Sequence, residues 1–257
     1  MGLPMYDYKK GKKRPVFKYL LIFSVFIVSV FLLKKLISSP SSELISPLPF
    51  QSEEALKTQE ELLKAIKQLI DSKGTYSVYI YDLNKKEGFG LGEETVFTAA
   101  SVNKIPILAS LYFLAGKNEI DLDKKITIQR KDIQNYGTGS IRYDPAGTQY
   151  SLKTLARLLT EKSDNTAGYV LGEIVIGLEK VQELIESWGL SQTNMENNKT
   201  SNHDIALLMS LMHQGKITNQ ALTKEMIGLM DDSDFEERLP KLLPENIKVY
   251  HKIGNEE

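Results

Sequence analysis

The chain has 257 residues, a formal net charge of −1, 42% hydrophobic residues and no cysteine. This composition fits one globular domain with an appendage and excludes a disordered or fibrous protein. The near-zero charge argues against nonspecific nucleic-acid binding, and the lack of cysteine excludes disulfides, thiolate nucleophiles and thiolate metal sites.

The N-terminal region carries an uncharged apolar run, Tyr19–Leu33, which extends through Ile37. With flanking lysines snorkelling, residues 19–37 reach the roughly 20 residues that a membrane helix needs. Five cations at positions 9–14 and Lys18 precede the run, and two lysines follow Leu33 directly. This asymmetry predicts that the leader, 1–18, is cytoplasmic and that the remainder lies outside the cell membrane. Because no A-x-A-like cleavage site follows, we expect a single-pass, uncleaved anchor.

The segment after the anchor, 38–52, is rich in serine and proline, and we interpret it as a linker to a domain at 53–257. Within the domain, apolar spacing and turn residues predict a helix at 53–72 capped by Ser52, then a hairpin whose first strand is 76–83 and whose return strand begins at Phe89. Helices are predicted at 105–115, over most of 152–188, at 204–214 and at 219–230. A last strand is predicted at 247–253. This order predicts an α+β fold, with a sheet made from both ends of the chain and flanked by a helical region.

Candidate chemistry begins at the S-x-x-K sequence of Ser101 and Lys104, at the start of the predicted helix. Residues three apart share one helix face, so the lysine amine can reach the serine hydroxyl. The helix N-terminus favours negative charge on Ser101, and a poorly hydrated lysine can accept its proton. The motif is nevertheless expected about once by chance in a chain of this length, and its alternative is a capping serine with a solvated lysine.

Two further motifs follow in order. Ser163-Asp164-Asn165 stands between helical stretches, where a helix-capping turn is the structural alternative, and Lys252-Ile253-Gly254 ends the predicted last strand. The histidines, His203, His213 and His251, include no pair four residues apart. We therefore expect no metal site, and a Ser-His-Asp triad has little support.

Together, S-x-x-K, S-D-N and K-x-G resemble the signature set of class A β-lactamases and penicillin-binding proteins. The two motif serines are 62 positions apart, close to the class A arrangement, and the flanking segments 97–100, 137–140, 145–148 and 163–167 are similar too. The resemblance runs from about Thr75 to the end and implies a β-lactamase/transpeptidase-like fold in a bacterial protein. It implies no cofactor, a monomer, and a β-lactam or D-Ala-D-Ala peptide as substrate.

The resemblance also implies the catalytic roles. Ser101 attacks the lactam or peptide carbonyl and becomes an ester, Lys104 takes or relays its proton, and Ser163 passes a proton to the leaving nitrogen. The backbone N–H groups of Ser101 and Asn255 form the oxyanion hole.

Three other residues are assigned to substrate binding by the same resemblance. Asn165 hydrogen-bonds the substrate's side-chain amide and steadies Lys104. Lys252 supplies positive charge near Ser163 and the substrate carboxylate, and Gly254 belongs to the same substrate-binding segment.

The pattern departs from the family at three places. Ile253 replaces a Thr or Ser, which removes a hydroxyl for the substrate carboxylate and about 1.5–3 kcal/mol of binding. The segment between Leu190 and Thr200 is too short for the family's Ω loop, and its Glu196 is more readily a solvent-exposed acid than a deacylation base. The chain ends at Glu257, where the family fold continues with two strands and a helix, so we expect a truncated product or a completing partner.

Three hypotheses for function remain. The first is a β-lactam hydrolase, supported by the motif set and its spacing. The second is a D,D-peptidase acting on peptidoglycan stem peptides, favoured by the short Ω-loop region. The third is a catalytically weak, membrane-tethered binding protein for wall peptides, suggested by Ile253 and the chain end.

Overall fold

The computed structural model describes residues 53–70, 73–231, 233–244 and 246–255, and these all belong to one compact unit. The predicted leader, membrane anchor and linker lie outside the described residues, as does the predicted cap Ser52. Among the helices that are described, none has the length and apolar character needed to cross a membrane.

The helices are α1 Glu53–Leu69, α2 Lys104–Gly116, α3 Leu152–Glu161, α4 Asn165–Tyr169, α5 Leu178–Ser187, α6 Asn202–His213 and α7 Gln220–Gly228, with a π-helix at Val170–Ile176 directly after α4. The strands are β1 Val78–Asp82, β2 Glu87–Leu91, β3 Phe97–Thr98, β4 Lys125–Thr127, β5 Gln149–Ser151 and β6 Lys199–Thr200. Short 3₁₀ turns occupy Ala100–Asn103, Arg130–Asp132, Ile141–Tyr143 and Pro240–Leu242. The predicted helical block and the predicted hairpin are both confirmed, with shifted bounds.

The hairpin pairs β1 with β2 in an antiparallel register that aligns Ile80 with Phe89. Its turn forms because the Asp82 carboxylate accepts the backbone N–H groups of Asn84 and Lys85, at 2.8 and 3.0 Å. Asp side chains favour turns by this local bonding. Helix α6 lies against β1, and α1 contacts β2, so the hairpin is joined to the helical region.

The core is organised around α2, which is apolar on every face, as expected of a helix surrounded by protein. Leu108, Leu111 and Tyr112 are fully buried in it. Helices α3, α5, α6 and α7 and the π-helix pack around α2. This packing fixes the N-terminal end of α2, where Lys104 stands.

The predicted strand at 247–253 is not formed, and this prediction was wrong. The described strands make three two-stranded antiparallel sheets, β1-β2, β3-β6 and β4-β5, and none of them includes a residue beyond Thr200. A strand exists only through hydrogen bonds to a neighbouring strand. Here the backbone N–H of His251 instead donates to the carbonyl of Met230, at the end of the α7 region, at 3.2 Å. The α+β class holds, but no sheet within the described residues joins the two ends of the domain.

Candidate active site

Ser101 lies in the 3₁₀ turn between β3 and α2, and it is partly buried. Ala100, directly before it, has a φ of 48°, in the left-handed region that a residue with a β-carbon rarely adopts. Such strain persists only where the surrounding structure holds the backbone in place, and it is concentrated at functional sites.

Lys104 is the first residue of α2, and only 8% of it is exposed. Its Nζ lies 3.0 Å from Ser101 Oγ and 3.2 Å from Ser163 Oγ. It also donates to the Ser163 carbonyl at 2.5 Å and to Asn165 Oδ1 at 2.6 Å. A neutral amine can keep both of these last bonds with its two protons and direct its lone pair at the serine hydroxyl.

Burial lowers the pKa of Lys104 to about 7, and the nearby charge of Lys252 acts in the same direction, against an opposing contribution from Asp164. The charged form of a buried amine is disfavoured because it loses hydration. Lys104 can therefore be substantially neutral near neutral pH, as a proton acceptor must be.

Ser163 connects the two lysines. It is 2% exposed and has a φ of 50°, and Lys252 Nζ donates to its Oγ at 2.7 Å. Lys252 also donates to the carbonyl of Ile253 at 2.9 Å, and burial lowers its pKa to about 8. One hydroxyl thus lies between an amine suited to accept a proton and an amine that remains charged at neutral pH.

Asp164 holds this arrangement together, and the sequence indicated it only as a helix cap. It does cap α4, because its Oδ1 accepts the N–H of Ala167 at 3.0 Å. Its Oδ2 additionally accepts the N–H groups of Ser140 and Ile141, at 2.6 and 2.9 Å. The buried carboxylate therefore ties the start of α4 to the loop before Ile141.

That loop, 136–140, lies directly on the S-D-N segment. Thr138 Oγ1 donates to the Ser163 carbonyl at 2.8 Å, and Asn165 Nδ2 donates to the Tyr136 carbonyl at 3.0 Å. A β-carbon at Gly137 would stand 2.5 Å from Asn165 Nδ2, so the close approach requires glycine. The Gly137-Thr138-Gly139-Ser140 run, one of the segments similar to the family, is the sequence signal for this contact.

The K-I-G segment, 252–254, passes close to the 3₁₀ turn Ala100–Asn103, which contains the proposed nucleophile and is called the nucleophile turn below. A β-carbon at Gly254 would be 2.7 Å from the Ala99 carbonyl and 3.2 Å from the backbone nitrogen of Ser101. Ile253 is partly exposed beside it, and Asn255 is exposed. The oxyanion-hole role of the Ser101 and Asn255 N–H groups stays a prediction.

Glu196 is not bonded to this cluster in the described part of the chain. It is exposed on the turn closed by the backbone hydrogen bonds between Asn194 and Lys199. Among the described residues it makes no hydrogen bond or ion pair with Ser101, Lys104 or any other candidate site residue. Nor does any group of three His, Asp or Glu side chains in the described ranges offer a metal site.

The structure therefore brings five predicted residues into one cluster. The cluster consists of the hydroxyls of Ser101 and Ser163, the amines of Lys104 and Lys252, and the amide of Asn165, all linked by hydrogen bonds. This set can transfer an acyl group to a serine without a cofactor.

The chain is similar to known proteins over most of its length. The family model described as "Beta-lactamase enzyme family" matches residues 61–257. Beta-lactamase VEB-1 of Pseudomonas aeruginosa is 22% identical over 214 residues, 76% of this chain and 72% of that protein.

Two solved structures show the fold. A PBP-A point mutant, captured as its acyl-enzyme complex with penicillin-G, is similar with a TM-score of 0.69 and 23% identity over 78% of each chain. A beta-lactamase from Sphaerobacter thermophilus is similar with a TM-score of 0.66 and 22% identity over 80% of each chain.

Proposed function

The chain is a serine hydrolase of the beta-lactamase enzyme family, and from this premise we propose that it forms an acyl-enzyme at Ser101 and hydrolyses the β-lactam amide. The observation that carries the proposal is the 3.0 Å separation of Lys104 Nζ from Ser101 Oγ, at a lysine whose pKa is lowered to about 7. A nucleophile within hydrogen-bond reach of a neutral base is the arrangement that acyl transfer needs.

The proton path follows the cluster. As Ser101 Oγ bonds to the carbonyl carbon, its proton passes to neutral Lys104. The resulting ammonium gives a proton to Ser163 Oγ, which releases its own proton to the lactam nitrogen as the C–N bond breaks. Ser163 Oγ lies 3.2 Å from Lys104 Nζ and 2.7 Å from Lys252 Nζ, so the relay requires no large movement. Water then attacks the ester and regenerates the Ser101 hydroxyl.

Two groups recognise the rest of the substrate in this proposal. The charge of Lys252 attracts the substrate carboxylate, and the Ser101 and Asn255 N–H groups donate hydrogen bonds to the developing oxyanion. The close approach at Gly254 supports this arrangement, because a β-carbon there would lie 3.2 Å from the backbone nitrogen of Ser101, so the K-I-G segment passes beside the proposed nucleophile. Donors fixed in advance at an oxyanion commonly lower the barrier by several kcal/mol.

A second candidate is a D,D-peptidase acting on peptidoglycan stem peptides. The position of Glu196 favours it, because this exposed loop acid makes no hydrogen bond or ion pair with the cluster in the described structure. Without a carboxylate base, water attack on the ester is slow and a penicilloyl adduct accumulates. Both candidates place the domain outside the bacterial membrane, held by the proposed anchor at 19–37.

The test mixes the full chain with excess nitrocefin and follows colour and intact mass together. Steady turnover supports the β-lactam hydrolase, whereas a one-to-one adduct without turnover supports the peptidase. If neither signal forms, the acyl-enzyme proposal is wrong and a weak wall-peptide binding protein is the remaining candidate. Ser101→Ala should abolish every adduct, and labelling that persists in this variant would show that another residue is the nucleophile.

A further inference from the structure

Asn198 contacts the nucleophile turn at two points. Its backbone carbonyl accepts the N–H of Ala99 at 2.8 Å, and its side-chain Oδ1 accepts Asn103 Nδ2 at 2.8 Å. Asn198 itself has a φ of 51°, a left-handed conformation that asparagine tolerates better than most residues. The residue immediately precedes β6.

These two points bracket Ser101. Ala99 stands two residues before it and Asn103 two residues after it, so one side chain and its own backbone hold both ends of the turn. The turn includes the strained Ala100, with a φ of 48°. A strained backbone relaxes unless its surroundings fix it at more than one place.

The amide of Asn103 indicates that this contact does more than stabilise the fold. Asn103 is 6% exposed, and its Oδ1 has no hydrogen-bond partner among the described residues. A buried, unpaired oxygen costs stability, and an apolar side chain of the same size would avoid the cost. What the amide does provide is a directional link to Asn198.

The loop that carries Asn198 is itself firmly held. The carboxylate of Asp204, 1% exposed, accepts the Gln192 N–H and the Thr193 hydroxyl, both at 2.8 Å. At the other end, β6 pairs with β3, the strand that leads into the nucleophile turn. Hydrogen bonds at one end and strand pairing at the other therefore fix the position of the loop that carries Asn198.

We propose that Asn198 is a positioning residue for acylation, which holds Ser101 at its attacking position by clamping Ala99 and Asn103 on either side of it. The inference rests on the proposed acyl-enzyme function and adds a residue that acts on the nucleophile without touching substrate. It also predicts that the clamp affects the chemical step and leaves the initial binding of substrate unchanged.

The experiment compares three variants of the full chain. Asn198→Gly keeps the left-handed backbone and the carbonyl but removes the side-chain link. Asn198→Asp keeps an oxygen that can accept from Asn103. Asn197→Gly is the matched control, because Asn197 is an exposed neighbour on the same turn.

Two quantities are measured. Stopped-flow mixing with a fluorescent penicillin separates the acylation rate constant from the dissociation constant of the initial complex. Hydrogen–deuterium exchange of the peptide spanning 97–104 reports on the turn without requiring any reaction. We expect Asn198→Gly to lower the acylation rate constant about tenfold or more, to leave the dissociation constant within twofold, and to speed exchange in 97–104.

Asn198→Asp should restore most of the rate, and Asn197→Gly should match the wild type in both measurements. The proposal is overturned if Asn198→Gly acylates normally, or if Asn198→Asp and Asn198→Gly are equally slow. If the wild type itself forms no adduct, the proposed function has failed, and the exchange measurement then decides the clamp alone. Unchanged exchange in Asn198→Gly overturns the clamp, and faster exchange confined to 97–104 supports it.

Discussion

In the proposed mechanism, the protonation states of two lysines govern reactivity at Ser101. Lys104 must be neutral to accept the serine proton, and its pKa is lowered to about 7 by burial and by the charge of Lys252. Lys252 must be charged to attract the substrate carboxylate, and burial lowers its pKa to about 8. Below the first pKa the base is blocked by a proton, and above the second the cation is lost.

The acylation rate should therefore be bell-shaped in pH, with its maximum between the two values. On the acid side the rate should fall about tenfold for each pH unit, because the neutral fraction of Lys104 falls in that proportion. Acylation by a fluorescent penicillin across pH 5.5–9.5 measures the profile. Lys252→Arg is the control, since a guanidinium stays charged and should remove the alkaline limb. An alkaline limb that survives this substitution would assign it to another group.

Ile253 is the residue at which a hydroxyl is expected from the family pattern. Ile253→Thr should increase acylation efficiency about tenfold to a hundredfold, because a hydrogen bond to a charged group is worth about 1.5–3 kcal/mol. Ile253→Val is the matched control, since valine has the shape of threonine without its hydroxyl. Equal effects of the two substitutions would show that side-chain size, and not the hydroxyl, limits binding.

Among the elements, the start of α4 and the loop 136–140 act as one unit through Asp164. The same carboxylate caps the helix and binds the N–H groups of Ser140 and Ile141. Ser163, directly before the cap, therefore takes its position from a loop more than twenty residues earlier in the chain. The dependence of a catalytic group on this loop can be tested through its glycines.

A comparison of Gly139→Ala with Gly147→Ala distinguishes the effect of backbone strain from the effect of displacing Asp164. Both glycines have positive φ, 126° and 97°, but a β-carbon at Gly139 would lie 2.5 Å from Asp164 Cγ, while one at Gly147 meets nothing within 4 Å. Gly147→Ala should lose about 1–2 kcal/mol of unfolding free energy from strain and keep normal acylation. Gly139→Ala should lose more stability and also slow acylation. Urea unfolding and acylation rates measure both, and normal acylation in folded Gly139→Ala would contradict the coupling.

For the molecule as a whole, the K-I-G segment is attached by side chains and isolated hydrogen bonds instead of a strand ladder. Lys252 bonds to Ser163, and His251, 4% exposed, contacts Glu236 at 3.0 Å. The backbone N–H groups of His251 and Ile247 donate to carbonyls, at 3.2 and 2.9 Å. An element held in this way opens more readily than one in a continuous ladder.

Most amides over 246–255 should therefore exchange with deuterium about a hundredfold faster than those of the β1–β2 hairpin. The paired hairpin amides, such as those near Ile80 and Phe89, serve as the internal reference. Exchange followed by mass spectrometry with peptide resolution makes the comparison. Slow exchange throughout 246–255 would show that the segment is paired as a strand in solution.

Local pattern in the sequence was enough for most elements and for the list of reactive side chains. The hairpin formed by the strand at 76–83 and the return strand from Phe89, and the helical block from Leu152, follow from residue spacing, because periodicity indicates which face is buried. The S-x-x-K motif likewise requires only one helical turn to bring Lys104 to Ser101. These features depend on residues close together in the chain.

Tertiary structure decided what depends on distant residues. It formed no strand at 247–253, because pairing needs a neighbour that the described chain does not provide there. It brought three backbone N–H groups to the carboxylate of Asp164, which the sequence motif alone does not predict. It also brought the side chain of Asn198 into hydrogen-bond contact with that of Asn103, 95 positions earlier in the chain. It also lowered the pKa of Lys104, since burial is a property of everything packed around α2 and no local sequence pattern specifies it.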